Sequence, residues 1–168
     1  MPPYTKHVSI QRILALDVGN RRIGVALSDA LGYTAQPLLT IYRTALKADL
    51  KSVARLIRRH GVTTVLIGLP IHASGEASPQ SAKTEAFADA LRLHLAEHFD
   101  PPPAIELLDE RHTTADAHAL LNRSGTRQTA ADRADRSKLI DQVAATLILE
   151  AWLRRQAPVL LPDPDANT

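Results

Sequence analysis

Two short apolar runs joined by a four-residue turn constrain this chain more than any other feature. Ile13-Leu14-Ala15-Leu16 leads into Asp17-Val18; Gly19-Asn20-Arg21-Arg22 follows, and a second apolar run occupies 23–28. Runs this short and apolar read as buried strands, and the connection predicts an antiparallel hairpin over 12–18 and 23–28. Asp17 is the anomaly, a carboxylate where a core calls for Val or Leu. An Asx-turn accounts for an Asp at the start of a hairpin, yet Gly19-Asn20 already supplies turn chemistry. Asp17 is therefore a candidate for function as well as for the turn.

The rest of the chain alternates in the same manner. A weaker strand is predicted over Leu38–Tyr42. Residues 45–60 predict a helix, with Leu46, Leu50, Val53 and Ile57 at helical spacing and Gly61 as the stop. A strand over 63–70 ends at Pro70, and a helix over about 80–98 carries Phe87, Leu91 and Leu95 on one stripe. Pro101-Pro102-Pro103 leads into a strand over 104–109. Thr113 and Asp116 form a capping pair for a short helix to about 122. Residues 123–138 read as a loop, and a last helix is expected over 138–155. The order of elements argues for one α/β domain over 12–155, a mixed sheet flanked by helices, with tails at 1–11 and 156–168. Sites in such sheets gather at the carboxyl ends of parallel strands. Asp17, the segment 68–70 and Asp109-Glu110-Arg111 all arrive there.

Composition narrows the function classes. The 168 residues hold 20 Lys+Arg against 18 Asp+Glu and no Cys, which excludes disulfides and thiolate metal sites. No apolar run approaches a membrane span, and the first residues lack a signal-peptide pattern. These features point to a cytoplasmic protein. Most of the basic residues are Arg, whose fork suits phosphate.

Asp141 is the second misplaced carboxylate. One helical turn along lie Ala145 and Ile148, with Trp152 beyond, whereas Gln142, Thr146 and Glu150 occupy another side. An unpaired carboxylate on an apolar stripe costs several kcal/mol. With the helix starting near 138, the helix dipole returns only roughly 0.3–1 kcal/mol. Asp141 therefore needs a partner, an arginine or a metal. Asp17, Asp141 and one of the pair Asp109 and Glu110 could converge above one sheet. Their hard oxygens suit Mg²⁺ or Mn²⁺. Two such ions about 3.5–4 Å apart clamp the attacking and leaving oxygens of an in-line phosphoryl displacement.

Five segments in order carry a family resemblance: LDVGNRRIGVALSD (16–29), TAQPLLTI (34–41), VLIGLP (65–70), LLDERHTTADA (107–117) and KLIDQVAATLILEAWL (138–153). The chain resembles the YqgF-type pre-16S rRNA nucleases, which are also described as Holliday-junction-resolvase-like, of the RNase H-like superfold. The resemblance implies a mixed five-stranded sheet and a cytoplasmic nuclease acting at the 5′ end of the 16S rRNA precursor. It implies Asp17, Glu110 and Asp141 as metal-binding and catalytic acids, with Asp109 the alternative to Glu110, and two Mg²⁺ or Mn²⁺ ions. His112 departs from the apolar residue expected after DER. The expected partners are precursor rRNA and ribosomal particles, or branched DNA if the chain is a junction resolvase. A nucleic-acid-binding ribosome assembly factor without catalysis is a further alternative, and an ATP-binding module of the actin-like class is another.

Basic residues flank these acids. Arg21 and Arg22 occupy the first turn, and Arg123, Arg127, Arg133, Arg136 and Lys138 precede Asp141; these are the candidate contacts to a phosphate backbone. Arg55, Arg58 and Arg59 read as the exposed end of an amphipathic helix. HLAEH (94–98) matches the inverted zinc-protease pattern, but at a helix end its histidines also suit the helix dipole.

Overall fold

A computed structural model describes residues 11–70, 78–109 and 130–156, with side chains from residue 135 onward in the last segment. The first two apolar runs form β1 (Arg12–Val18) and β2 (Arg22–Ser28), paired antiparallel with Leu14 opposite Leu27 and Asp17 opposite Gly24. β3 (Ala35–Tyr42) continues antiparallel along β2. On the other side of β1, β4 (Val62–Leu69) and β5 (Ala104–Asp109) run parallel to it. The order β3-β2-β1-β4-β5 is the mixed five-stranded sheet that the pattern of runs predicts.

Strand alternation divides the core into two layers. Leu14, Leu16, Val18, Ile23, Val25, Val65 and Ile67 face α1 (Leu46–His60) and α2 (Pro79–His98). Ile13, Ala15, Ala26, Leu66 and Leu108 face α3 (Ala130–Gln156), which buries Ala145, Ile148 and Leu149 against them. α1 ends where Gly61 adopts φ 63° and its N–H caps the Ile57 carbonyl, a left-handed conformation that favours glycine. α2 opens on a capping box between Ser78 and Ser81, with Pro79 in its first turn.

Two expectations are corrected. The third strand is eight residues long and starts at Ala35. Its polar start, with a proline, is tolerated because β3 lies at the sheet edge. The segment 130–138 is helical, not a loop, since α3 already begins at Ala130. Ala- and Arg-rich sequence favours a helix, but this part has no apolar stripe for periodicity to detect. The helix expected over 113–122 lies outside the described residues. No helix among the described residues is long and apolar enough to cross a membrane.

Candidate functional site

Asp17 stands near the carboxyl end of β1, at the same sheet end as Leu69 of β4 and Asp109 of β5. Its alternation places it with Ile13 and Ala15 on the face covered by α3. Directly across the hairpin is Gly24, and here α3 comes closest to the sheet. A Cβ added to Gly24 would lie 1.9 Å from the Asp141 carbonyl oxygen. Only a glycine admits the helix at that depth, and that depth sets Asp141 beside Asp17.

Both carboxyls are costly to ionise. Burial, then the charge of Asp141, pushes the Asp17 carboxyl from the ordinary 3.8 to about 6. Asp141 is also raised, by burial, against the opposing pull of Arg22. Arg22 Nε lies 2.6 Å from Asp141 Oδ2, and Arg22 Nη2 donates to Ser137 Oγ. Arg22 Nε and Asp141 Oδ2 are both buried, and they meet off the line of a hydrogen bond. One guanidinium thus serves one acid, Asp141, and one hydroxyl, that of Ser137.

The partner that Asp141 requires in this structure is Arg22. The dipole contribution expected for Asp141 does not arise, because the residue sits about three turns into α3. The dipole acts only within a helix's first turn.

The structure separates the other candidates. Arg21 is exposed in the hairpin turn, whereas Arg22 turns in toward α3. Asp109 ends β5 opposite Leu69; its alternation matches Ile105 and Leu107 on the α1–α2 face, away from Asp17. Arg136 and Lys138 lie on α3, not on a loop. Lys138 Nζ is 3.2 Å from Asp135 and 5.9 Å from the centre of the Tyr42 ring. Arg133 belongs to α3 but its side chain lies outside the described residues, as do Glu110, Arg123 and Arg127. Among the described residues no three His, Asp, Glu or Cys side chains cluster to hold a metal. His94 and His98 of the HLAEH motif stack on each other on α2, ring centres 4.3 Å apart.

Several supports of the site escape the sequence reading. Arg43 donates from Nη1 to the Gly19 carbonyl at 2.8 Å and from Nε to Asp49 Oδ2 at 2.8 Å. Asp49 is buried in the first turn of α1, so this pair ties the hairpin turn to the helix. Gln80 Nε2 donates to the Val18 carbonyl at 2.9 Å, anchoring the strand end next to Asp17. The signal for Asp49 was available, because it lies one turn before Val53 on the buried face of α1. Gly24 carried none that distinguishes it from an ordinary strand glycine.

A mixed sheet of this order, covered by helices on both faces, with acids at the carboxyl end of β1 and on the last helix, is the RNase H-like architecture. Solved structures share it. The fowlpox virus resolvase in complex with Holliday junction DNA aligns with a TM-score of 0.53 at 14% identity, over 88% of this chain and 100% of that one. The yeast mitochondrial resolvase Ydc2 aligns with a TM-score of 0.52 at 14% identity, over 88% and 79% of the two chains. Residues 11–155 match the model of the family described as RuvX: Holliday junction resolvase, and the chain belongs to that family. A Myxococcus xanthus relative named "Putative pre-16S rRNA nuclease" is 41% identical over 92% of this chain and 93% of its own. A relative of the same name from Moorella thermoacetica is 44% identical over 86% and 95%.

Proposed function

We propose that this chain is a nuclease that hydrolyses phosphodiester bonds in structured RNA, acting in 5′-end processing of the 16S rRNA precursor in the cytoplasm. The family and the shared name of its relatives support that reading. The observation that carries the chemistry is the juxtaposition of Asp17 and Asp141 across Gly24, two carboxyls that burial makes costly to ionise. Two hard, under-compensated carboxylates are what a divalent cation requires of a protein. Glu110 is the third acid of this reading, since Asp109 belongs to the opposite face of the sheet.

Asp17, Glu110 and Asp141 would hold Mg²⁺ or Mn²⁺, which would supply the positive charge that a phosphodiester displacement needs. Positive charge beside Asp17 would offset its burial and its like-charged neighbour and so favour its ionised form. Arg22 opposes the effect of burial on Asp141 and carries a guanidinium fork that suits phosphate. Arg21, Arg136 and Lys138, with Arg123, Arg127 and Arg133, are the proposed contacts to the nucleic-acid backbone.

The test is cleavage of precursor rRNA by the purified protein with Mg²⁺ or Mn²⁺, in parallel with a four-way DNA junction. Asp17→Asn and Asp141→Asn should each lower the rate by roughly a hundredfold or more with an unchanged circular dichroism spectrum. Full activity in both variants refutes the assigned site. Preferential cleavage of the junction moves the substrate from RNA to branched DNA.

A further inference from the structure

The HLAEH histidines and the basic end of α1 form one surface, remote from the acids. A groove of about 380 Å³ between α1 and α2 is lined by Lys51, Ser52, Arg55, Arg58, His94 and His98, with alanines at its base and no described acidic residue in its wall. Its donors are partly held in place. Arg55 Nη2 donates to Ser52 Oγ at 3.1 Å. Arg58 Nη2 donates to the His98 carbonyl at 3.3 Å, and its guanidinium lies 4.8 Å over the Phe99 ring. His98 is fixed by a 2.7 Å contact between its Nδ1 and the His94 carbonyl oxygen. Burial and the positive charges of His98, Lys51 and Lys47, opposed only by Glu97, lower the pKa of His94. The groove is a concave positive surface with pre-oriented forks, and its chemical complement is phosphate.

Its position shows which phosphates those are. The groove follows α1 from Ala48 to Arg58 and belongs to the α1–α2 layer, on the sheet face opposite the one that α3 covers. Asp17 is on the α3 face, near the carboxyl end of β1, so the sheet stands between the groove and the acids. An isolated phosphate in the groove would not communicate with the acids, whereas a continuous backbone could reach both.

We propose that the α1–α2 groove is a second nucleic-acid-binding site, holding phosphates of a structured RNA whose scissile bond lies at the acid end of the sheet. The identity of the polyanion rests on the nuclease reading; binding at the groove does not require cleavage.

Fluorescence anisotropy in EDTA, with a hairpin RNA of about 20 base pairs, tests this without cleavage. Arg55→Glu/Arg58→Glu should weaken binding roughly tenfold or more and lower the salt slope by about two. The equal charge change Arg154→Glu/Arg155→Glu should do neither. Lys51→Glu/Arg55→Glu, which leaves the Arg58 contacts to His98 and Phe99 in place, should reproduce the loss if the first variant proves unstable. RNA affinity unchanged in both folded groove variants overturns the proposal and leaves the surface to an acidic protein partner. Absence of cleavage by the unaltered protein would refute the nuclease reading while leaving this binding result intact.

Discussion

Gly24 is the residue on which the geometry of the site depends. A methyl group there meets the Asp141 carbonyl at 1.9 Å, a backbone atom that no rotamer change can move. Gly24→Ala should destabilise the fold by about 3 kcal/mol or more, the upper range of overpacking, read as a drop in urea midpoint. Asp17 makes a prediction of opposite sign. Its carboxyl rises from 3.8 to about 6 on folding, so the folded state binds the proton more tightly than the unfolded state. Stability from this group is present below about pH 4 and is lost as pH rises to about 6. In metal-free buffer, Asp17→Asn should therefore be more stable than the unaltered protein at pH 7, by at most about 3 kcal/mol. The two should converge near pH 4. Urea titrations at both pH values check this, and a variant less stable at pH 7 would remove the case for a strained carboxylate.

Among the elements, α1 and the β1–β2 hairpin are joined by the Arg43–Asp49 pair. The Asp49 side chain is only 3% exposed, against 23% for Arg43. Arg43→Ala leaves a buried carboxylate without its cation and should cost about 3–5 kcal/mol. Arg43→Leu/Asp49→Leu removes both charges and should cost less than the single change; thermal melts of the three proteins decide it. α3 shows why helix ends are hard to read. Its central part is anchored by Ala145, Ile148 and Leu149, which periodicity detects. Its first turns, rich in Ala, Asp and Arg, have helical propensity without an apolar stripe, so they resemble a loop. That difference moves Arg133, Arg136 and Lys138 from a loop onto a helix that reaches the sheet beside Thr40, whose hydroxyl donates to the Lys138 carbonyl at 3.2 Å.

For the molecule as a whole, the acids should link divalent cations to stability. A ligand at 100 times its Kd that binds only the folded state adds about 2.7 kcal/mol. Saturating Mn²⁺ should raise the melting temperature of the unaltered protein and leave that of Asp17→Asn/Asp141→Asn unmoved. Equal shifts in both proteins would place the cation elsewhere. The layered architecture was readable because each apolar run has the length and period of its element. The meeting of Asp17 and Asp141 in the candidate site was foreshadowed because each violates the apolar pattern of the element that carries it.

Local sequence determined the strands, the helices, the hairpin and the two misplaced carboxylates, because period, turn chemistry and propensity act over a few residues. Tertiary structure decided which groups meet. Arg22 and Ser137 are far apart in the chain, and their hydrogen bond exists only because α3 lies deep over β2. That approach depends on Gly24, whose missing side chain has no periodic signature. Asp109 parted from Asp17 for a similar reason. Both lie at one sheet end, but strand alternation and the placement of the helices assign them to opposite faces. Charge followed the same rule: Arg55, Arg58, His94 and His98 were unremarkable helix-end residues in sequence, and became one groove when α1 packed beside α2.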